Sequence, residues 1–442
     1  MPRETAWRVL RSGSPKPLNE VDRYAREAGL EPRDRALVRR IVGTEIRRRG
    51  TLRSIVRKYA KGKPKPDLVA HLHVGLVQLL FLDGVPPHAV LSETVRATAD
   101  TLGLSKGRYV NAVLRTVQRS VRPETSGDPR RDLVQREVSF DEPVFKDPSE
   151  HPLLWFEDAL SIPANLMKRW VERYGEERAR ELALTAMTEP RLSLCGTGVA
   201  REDLRAELAA AGIETQDGLH DDVLVTTPAT SEGLFQSDAF REGRFTVQGE
   251  TALRAAELVG AQAGEAVLDM CAAPGGKTAV LARTGAEVLA VDRSAGRLAG
   301  LRSNLERLRV PGRVHPAAMD AAAGLDPKRS FDAVLLDAPC SNTGVLAARP
   351  GARWRFGPAA QRELTELQSR LLESAASRVR AGGRLVYSTC SLEPEENGRQ
   401  VRAFLERHGD WRLEQEHEAL PGVPGSSGPA DGGYAARLVL PS

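Results

Sequence analysis

The sequence predicts a doubly wound α/β domain in its C-terminal part, preceded by a small α+β unit and an all-α N-terminal part. From residue 264 onward strand and helix signals alternate, with strands expected at 266–270, 287–291, 331–336 and 383–388. Such alternation is typical of a parallel sheet covered by helices. The first of these strands enters a glycine-rich turn, and two later strands are each followed by a cysteine. A site at the carboxyl edge of the sheet is therefore expected.

The N-terminal part, residues 4 to about 121, has the pattern of one helix after another. One of these helices has an apolar stripe at positions i, i+4, i+7 and i+8, formed by Leu72, Leu76, Leu79 and Leu80. His71 and His73 lie on the same helix. No cysteine or acidic partner is close in sequence, so we expect ordinary side chains there and no metal site.

Positive charge is concentrated in the N-terminal third of the chain. Residues 1–140 contain 28 Lys and Arg against 15 Asp and Glu, a net charge of +13, whereas the remaining 302 residues carry 35 against 44, or −9. The densest basic cluster consists of Arg47, Arg48, Arg49, Arg53, Arg57, Lys58, Lys61, Lys63 and Lys65. This cluster suits a phosphate backbone. A solvated helix face is the alternative interpretation.

Composition suggests three parts. Residues 122–152 are rich in proline and charge and poor in periodicity, which predicts a linker. We expect a helical domain over 1–140 with a linker to about 152, a small α+β subdomain over 153–245, and the doubly wound domain over 246–442. The middle part is expected to hold a helix over 165–187, a second helix and two short strands.

The cysteine content favours a reducing compartment. The four cysteines are too few and too far apart for a disulfide framework, and none forms a Cys-x-x-Cys pair. No apolar run approaches the roughly 20 residues that span a bilayer, and the first residues, MPRETAWRVL, lack the apolar stretch of a signal peptide. We expect a cytoplasmic protein without a membrane partner.

The glycine-rich turn predicts a nucleoside cofactor. Its sequence, CAAPGGKT, comprises Cys271, Ala272, Ala273, Pro274, Gly275, Gly276, Lys277 and Thr278. A nucleoside triphosphate is disfavoured, because Cys271 stands where a phosphate-binding loop needs its first glycine. The two glycines admit a ligand close to the backbone, and the next helix directs its N–H groups at a carboxylate, such as the methionine end of S-adenosylmethionine.

Two aspartates extend this predicted cofactor cleft. Asp292 ends the second strand, where a carboxylate would accept the ribose hydroxyls. Asp320 follows the expected third strand and is a candidate for holding the adenine amino group. Taken singly, either aspartate is equally compatible with a helix cap. In this order after the glycine-rich turn, they predict a cofactor site.

Two thiols are expected to face each other at the edge of the sheet. Cys340 follows the strand that ends at Asp337, and Cys390 follows the strand that ends at Thr389. If these strands are neighbours, both thiols reach one substrate atom, which suits covalent catalysis. Free cysteines are more often buried apolar groups, and we expect this of Cys195 and of the Cys271 thiol.

Three segments carry a family resemblance. DMCAAPGGKT (269–278), DAPCSNTG (337–344) and STCSLEPEEN (388–397) resemble the RNA cytosine-5 methyltransferases of the Rsm/Nop type. The basic helical N-terminal part resembles the NusB-like RNA-binding domain of the bacterial Sun/Fmu branch, which modifies a cytosine in small-subunit ribosomal RNA. The resemblance extends from about residue 4 to the end of the chain. It implies a Rossmann-like methyltransferase domain behind a NusB-like domain.

The resemblance also implies roles for single residues. Cys390 would be the nucleophile that adds to carbon 6 of cytosine, and Cys340 would help to release the enzyme afterwards. Asp337 is placed to hydrogen-bond the ring edge, in addition to a place in the cofactor site. Lys277 and the helix N-terminus would favour the cofactor carboxylate. The implied partners are S-adenosylmethionine and RNA, with the protein acting as a monomer without a metal.

Some positions depart from the family pattern. Gly249 stands where aspartate is more usual, RLSLCGT (191–197) lacks the usual Arg-x-Asn, and Ala347, Ala348 and Gly351 lie in place of a basic pair and a His-Pro-Asp stretch. A non-enzymatic RNA-binding factor with a vestigial methyltransferase fold is the alternative function. An amino-group methyltransferase would carry Asn/Asp-Pro-Pro-Tyr where this chain has DAPC. The roles of the two thiols are exchanged in DNA cytosine methyltransferases.

Overall fold

The computed structural model describes residues 1–226, 233–310, 314–318, 320, 324, 328–422 and 431–442. These residues form two compact units. Unit 1 comprises Met1–Thr188 together with Arg353–Phe356, and unit 2 comprises Glu189–Ala352 and Gly357–Ser442. Over the described part of the chain, no helix combines the length and apolar character needed to cross a membrane.

Unit 1 is built almost entirely from helices. They are α1 (Pro2–Arg11), α2 (Pro17–Glu27), α3 (Pro32–Tyr59), α4 (Pro66–Phe81), α5 (Pro87–Leu102), α6 (Leu104–Ser120), α7 (Pro152–Leu160), α8 (Ala164–Tyr174) and α9 (Glu176–Met187). Most of them begin at a proline. Proline fixes φ near the helical value and lacks only an N–H that would have no helical partner in the first turn. This explains why the helix starts follow the prolines of the sequence.

The segment predicted as a linker contains paired strands and buried side chains. Within residues 122–152, β1 (Val121–Arg122) pairs with β2 (Ser139–Phe140) in antiparallel fashion. Leu133, Phe140 and Phe145 are buried in unit 1. The proline and charge content of the segment predicted a spacer, but its few apolar side chains are buried in unit 1 and fix it there. The division between the units falls after Thr188; the predicted three-part division stays a prediction.

The helix expected over 165–187 is interrupted. Gly175 has a φ of 79°, in the left-handed region, and separates α8 from α9. Glycine adopts this conformation without the steric penalty that a Cβ brings. The single periodic pattern in the sequence therefore corresponds to two helices.

Unit 2 contains two sheets. The smaller sheet has the order β4-β5-β3-β6 and is antiparallel. Its strands are β3 (Ser193–Gly196), β4 (Thr215–Asp217), β5 (Val223–Thr226) and β6 (Phe245–Val247), with α10 (Arg201–Ala210) and α11 (Asp238–Arg241) beside them. The two short strands expected around 213–216 and 223–227 correspond to β4 and β5, and residue 227 lies outside the described residues. Because α10 and α11 accompany this antiparallel sheet, the predicted α+β character is present in this part of unit 2.

The larger sheet has the order β12-β13-β11-β10-β7-β8-β9. Its strands are β7 (Ala266–Met270), β8 (Glu287–Asp292), β9 (Val314–Ala318), β10 (Phe331–Asp337), β11 (Val379–Thr389), β12 (Arg412–Ala419) and β13 (Gly433–Val439). Its helices are α12 (Glu250–Glu257), α13 (Gly276–Arg283), α14 (Ala295–Arg307), α15 (Pro358–Ala376) and α16 (Gly398–Arg407). The strands from β11 to β9 are parallel, and β13 is antiparallel to both of its neighbours.

The predicted doubly wound fold is confirmed. Buried apolar residues of β7, β10 and β11 form a core with α15 and α16, among them Leu268, Val334, Leu372, Leu385 and Phe404. Strand β10 is buried along almost its whole length, as expected for a central strand covered on both faces. The chain order reverses between β7 and β10, which creates a crevice at their carboxyl ends.

Candidate active site

Most of the predicted site residues of unit 2 lie at the carboxyl edge of β7, β10 and β11, whereas Asp292 ends β8 and Asp320 follows β9. The loop after β7 carries the glycine-rich turn, and the loops after β10 and β11 carry Cys340 and Cys390. Asp337 and Ser388 are register partners on adjacent parallel strands. The three loops therefore leave the sheet side by side at the point where its strand order reverses.

The glycine-rich turn is held in a defined conformation. The Ala272 N–H donates to the Val291 carbonyl at 3.0 Å, and the Gly275 N–H donates to the Ala272 carbonyl at 2.8 Å. Gly275 has a φ of 97°, and a Cβ at this position would lie 2.9 Å from Leu301 Cγ. A glycine is thus required both by conformation and by space.

The rest of the turn is fixed from outside. The Arg297 guanidinium donates to the Ala273 carbonyl, and Asn304 Nδ2 donates to the Pro274 carbonyl at 3.4 Å. Burial raises the pKa of Cys271 to about 12, so the thiol of this residue stays protonated. The contribution of Cys271 to a cofactor site is therefore its backbone.

Two buried carboxylates near the glycine-rich turn each have one oxygen that no described residue hydrogen-bonds. Asp269 Oδ2 accepts from Thr278 Oγ1 at 2.6 Å, and burial raises the pKa of Asp269 to about 7. Asp292 Oδ1 accepts from the Ser294 N–H at 3.0 Å, whereas Arg297 lies 2.9 Å from Oδ2 without a hydrogen-bonding angle. Among the described residues, Asp269 Oδ1 and Asp292 Oδ2 have no hydrogen-bond partner. These atoms fit a ligand that brings its own donors.

Asp320 lies just past the end of β9, next to β8, and is exposed. The residues on either side of it, 319 and 321–323, are outside the described part of the chain. The predicted contact of Asp320 with adenine therefore stays a prediction.

The two thiols lie next to each other. Cys340 Sγ is 3.2 Å from Cys390 Sγ, and Cys390 Sγ is 3.3 Å from Asn342 Oδ1. Asn342 Nδ2 donates to the Cys340 carbonyl at 2.6 Å, and Arg349 donates to Asn342 Oδ1. Asn342 thereby connects both thiol loops to a guanidinium.

The environment gives the two thiols opposite properties. The hydrogen bond from the Cys340 thiol lowers the pKa of Cys390, with further help from the positive charges of Arg349 and Lys277, against the effect of burial. The same hydrogen bond, together with burial, raises the pKa of Cys340 well above its usual value. The thiolate is the reactive form of cysteine, and these opposite pKa shifts favour ionisation of Cys390 over ionisation of Cys340.

Asp337 is anchored between the glycine-rich turn and the thiol loops. Its Oδ2 forms an ion pair with Lys277 Nζ at 2.8 Å, and its Oδ1 accepts from Ser388 Oγ at 3.0 Å. Burial acts to lower the pKa of Lys277, but the Asp337 carboxylate outweighs it and raises this pKa. Lys277 is therefore a permanent cation at the start of α13.

Behind the thiols lies a buried polar network that the sequence patterns did not single out. The fully buried Glu396 accepts from the Ser341 N–H at 2.8 Å, from Ser391 Oγ at 2.9 Å and from Gln368 Nε2 at 3.0 Å. Ser341 follows Cys340 and Ser391 follows Cys390. One carboxylate thus holds both thiol loops in place.

The departure at Gly249 is compensated elsewhere in the chain. A side chain at Gly249, the N-cap of α12, would collide with the Asp431 carboxylate. Asp431 accepts hydrogen bonds from Thr251, and burial raises the pKa of Asp431 to about 6. A carboxylate from the segment before β13 therefore lies at the N-terminus of α12. The departing positions Ala347 and Ala348 precede, and Gly351 lies within, the short 3₁₀ helix Pro350–Arg355, close to Arg349.

In unit 1 the basic cluster is only partly a surface. Arg47 and Arg48 are buried, and their guanidinium groups donate to the carbonyls of Thr188 and Val134 at 3.1 and 2.9 Å. Arg49, Arg57 and Lys58 form ion pairs with Glu45, Asp158 and Glu142. These side chains stabilise unit 1, which neither of the two interpretations of the cluster had foreseen.

The basic residues of α6 and of the α3–α4 loop remain exposed. They are Lys61, Lys63, Lys65, Lys106, Arg108, Arg115 and Arg119, here called the basic surface. Helix α6 has no acidic residue, and Tyr109 Oη on α6 donates to the Lys61 carbonyl at 2.8 Å. The two groups of cations are therefore adjacent. Together they form a positive field suited to phosphates.

The two histidines of α4 are structural. His73 Nδ1 lies 3.0 Å from Glu45 Oε1, and His71 Nε2 lies 2.7 Å from Thr101 Oγ1. No group of residues arranged to hold a metal ion is found over the described ranges.

Comparisons with known proteins identify two family models. Residues 256–425 match the model of the 16S rRNA methyltransferase RsmB/F, and residues 2–119 match the NusB family. The chain is 34% identical to the ribosomal RNA small subunit methyltransferase B of Vibrio cholerae serotype O1, over 94% of this chain and 91% of that protein. It is 33% identical to the probable ribosomal RNA small subunit methyltransferase B of Synechocystis sp., over 89% and 86% of the two chains.

Solved structures share the fold. The crystal structure of PH0851 superposes over 99% of both chains, with a TM-score of 0.77 and 23% identity. A methyltransferase homolog protein from Pyrococcus horikoshii covers 66% of this chain and 99% of its own length, with a TM-score of 0.55 and 25% identity. NSun6 from Pyrococcus horikoshii, solved with SFG, covers 63% of this chain and 98% of its own, with a TM-score of 0.55 and 20% identity.

Proposed function

Because the chain belongs to the RsmB/F family of 16S rRNA methyltransferases, we propose that it methylates carbon 5 of a cytosine in small-subunit ribosomal RNA. S-adenosylmethionine is the methyl donor in this family. The proposed reaction proceeds through a covalent bond between Cys390 and the base. The RNA target is proposed on the grounds of the relatives' names and of the basic surface in unit 1.

The observation that carries the proposal is the thiol pair. Cys340 and Cys390 lie 3.2 Å apart at the ends of adjacent strands, and only the pKa of Cys390 is lowered. Carbon 5 of cytosine is too weakly nucleophilic to take a methyl group directly. Addition of a thiolate to carbon 6 makes carbon 5 resemble an enamine. A nucleophile and a second thiol at one point suit both the addition and the later release.

In the proposed reaction a bond between Cys390 and carbon 6 forms and later breaks. The Cys390 thiolate forms a bond to carbon 6, and the electron pair of the double bond moves towards carbon 5, which takes the methyl group. The sulfonium that gives the methyl group keeps the bonding electron pair and leaves as S-adenosylhomocysteine. Carbon 5 then loses its proton to water, the electron pair of that C–H bond restores the double bond, and the bond between Cys390 and carbon 6 breaks with its pair returning to the Cys390 sulfur. Cys340 supports this release. Asp337 hydrogen-bonds the ring edge, where its ion pair with Lys277 keeps the carboxylate in position.

The residues around the glycine-rich turn are proposed to bind the cofactor. The turn from Cys271 to Lys277 and the N-terminus of α13 would hold its methionine end, and Asp292 would hold the ribose. The buried atoms Asp269 Oδ1 and Asp292 Oδ2, which have no hydrogen-bond partner among the described residues, support this assignment. When bound, the cofactor supplies an electrophilic methyl group on a sulfonium.

A non-enzymatic RNA-binding role is the alternative. It would leave the thiol pair, the ion pair of Asp337 and the network around Glu396 without a purpose. An intact set of interacting catalytic groups favours the enzyme. The two functions are distinguished by the RNA product, because only the enzyme changes the RNA covalently.

Bisulfite sequencing of ribosomal RNA tests the proposal. A strain without the gene is complemented either with the wild-type chain or with Cys390→Ala. We expect one cytosine of the small-subunit RNA to resist bisulfite conversion only with the wild-type chain. Absence of any such cytosine would contradict the proposal, as would equal protection by the Cys390→Ala variant.

A further inference from the structure

Gln248 occupies a fixed position beside the cofactor loop. It lies between β6 and the N-cap of α12. Its N–H donates to the Ser193 carbonyl at 3.0 Å, and its carbonyl accepts from Cys195 Sγ at 3.2 Å. Both backbone contacts attach it to β3. The direction of its side chain is therefore set by the sheet and not by a loose loop.

The amide of this side chain is buried and lacks partners. Gln248 is 8% exposed, and neither Nε2 nor Oε1 has a hydrogen-bond partner among the described residues. A primary amide offers two donors and one acceptor. Buried polar groups are almost always satisfied, so an exception points to a missing partner. Such an amide is in place to hydrogen-bond a ligand that enters the site.

The amide touches the start of α13. Its Oε1 lies 2.8 Å, and its Cδ 3.3 Å, from the place where a Cβ on Gly276 would be. The φ of Gly276 is not in the left-handed region, so backbone conformation does not explain why a glycine stands here. Space for Gln248 does. The unsatisfied amide and the N–H groups of the first turn of α13 therefore lie at the same point.

We propose that Gln248 binds the amino-acid end of S-adenosylmethionine. This end carries a carboxylate and an ammonium group, and an amide is able to donate to the first and accept from the second. The nucleoside end belongs to the other side of the site, because Asp292 ends β8 and β8 lies on the far side of β7 from β10. Gln248 thus completes the methionine pocket from outside the glycine-rich turn.

Calorimetry with two ligands tests this assignment on the full-length protein. S-adenosylhomocysteine carries the amino-acid end, whereas 5′-methylthioadenosine has the same nucleoside and thioether without it. For Gln248→Met we expect the Kd of S-adenosylhomocysteine to rise at least tenfold and that of 5′-methylthioadenosine to change less than twofold. The exposed Gln236 serves as the matched control, and Gln236→Met should leave both values unchanged.

A purely structural role predicts different results. Because Gln248→Met replaces an unsatisfied amide with an apolar side chain of similar length, we expect the melting temperature of the ligand-free protein not to fall. Should it fall, Gln248→Glu decides, since it keeps the shape of the side chain, cannot donate to the ligand carboxylate, and places a charge that acts only on a ligand with an amino-acid end, so the Kd of S-adenosylhomocysteine alone should change. Unchanged binding of S-adenosylhomocysteine, or an equal loss for both ligands, would overturn the proposal. Neither RNA nor methyl transfer is involved, so the result is independent of the cytosine assignment.

Discussion

The thiol pair shows how two identical side chains acquire different chemistry. Cys340 Sγ and Cys390 Sγ lie 3.2 Å apart and share a hydrogen bond, and Arg349 and Lys277 add positive charge near Cys390. Burial alone would have raised the pKa of both thiols. The asymmetry therefore comes from the shared proton and from the placement of the cations.

Alkylation measures this asymmetry. With a substoichiometric amount of iodoacetamide near neutral pH, we expect Cys390 to be modified before Cys340, because its thiolate fraction is larger. Peptide mapping by mass spectrometry gives the order. Arg349→Gln should slow the modification of Cys390. Modification of Cys340 first would contradict the assignment of the nucleophile.

Asp269 makes the stability of the free protein depend on pH. Burial raises the pKa of Asp269 to about 7 in the folded protein, whereas in the unfolded chain it is about 3.9. Between these values the folded state holds the proton that the unfolded state has lost, so stability falls as the pH rises through this window. Asp269→Asn removes this loss.

Urea unfolding of the wild type and of Asp269→Asn checks the sign. The free energy of unfolding of Asp269→Asn minus that of the wild type should increase by about 2 kcal/mol between pH 5 and pH 8. Asp431, whose pKa is also raised, contributes equally to both proteins and cancels. A constant difference across this range would show that Asp269 is ionised throughout.

Some residues of the site were predictable and others were not. Cys340, Cys390 and Asp337 follow recognisable strands, and the parallel order brings strand ends to one edge. Glu396 lay within a segment noted for its cysteine, but nothing in the sequence indicates that it bonds both thiol loops. Gln248 has no local pattern at all, since its role depends on the approach of β6 to α13.

Among the elements, α6 and the α3–α4 loop replace α3 as the expected contact with RNA. The sequence places most of its basic density in α3, but α3 is the central helix of unit 1 and several of its cations are buried or paired. Composition does not distinguish a cation that faces solvent from one that faces a carbonyl. Of the cluster, Lys61, Lys63 and Lys65 are exposed and belong to the basic surface, which α6 extends.

A triple substitution tests the basic surface. Lys61→Gln, Lys63→Gln and Lys65→Gln together should weaken RNA binding and reduce the slope of log K against log salt by about 2, at roughly 0.7 to 0.9 per phosphate contact. Filter binding over a range of salt concentrations gives both values.

The control variant changes Arg8, Arg23 and Arg39 to glutamine. These exposed arginines are already paired with Glu4, Glu20 and Asp22, and the net charge falls by the same amount. If the control weakens RNA binding as much as the triple lysine variant, net charge and not the basic surface is responsible.

Helices and strands were predictable where the hydrophobic periodicity of a segment agreed with the turn-forming residues at its ends. The strands β7, β8 and β10 begin and end within a residue of expectation, because continuous apolar runs are bounded by turns. Helix α16 and strand β12 were not foreseen. Strand β12 is mostly exposed, so it lacks the apolar alternation by which a strand is recognised.

At the scale of the whole molecule, the two compact units do not correspond to two continuous stretches of the sequence. Arg353, in the loop that follows Cys340, is fully buried in unit 1, where it donates to the Ala186 carbonyl. Burial lowers the pKa of Arg353 to about 9, with Arg47 and Arg48 adding to the effect. Next to it, Trp354 Nε1 donates to the Ile46 carbonyl at 2.8 Å. A truncation at residue 140 would cut through this unit, so point substitutions are the sounder test of RNA binding.

The complex of the full-length protein with RNA permits the most direct test of the covalent mechanism. Wild type, Cys340→Ala, Cys390→Ala and the double variant are incubated with small-subunit ribosomal RNA and S-adenosylmethionine, then run on a denaturing gel. If Cys390 attacks and Cys340 supports release, Cys340→Ala should accumulate a slowly migrating protein–RNA adduct. Cys390→Ala and the double variant should show none, because release is irrelevant when nothing has been added. An adduct trapped by Cys390→Ala and lost in Cys340→Ala would exchange the two roles, and full methylation by Cys390→Ala would contradict the covalent mechanism itself.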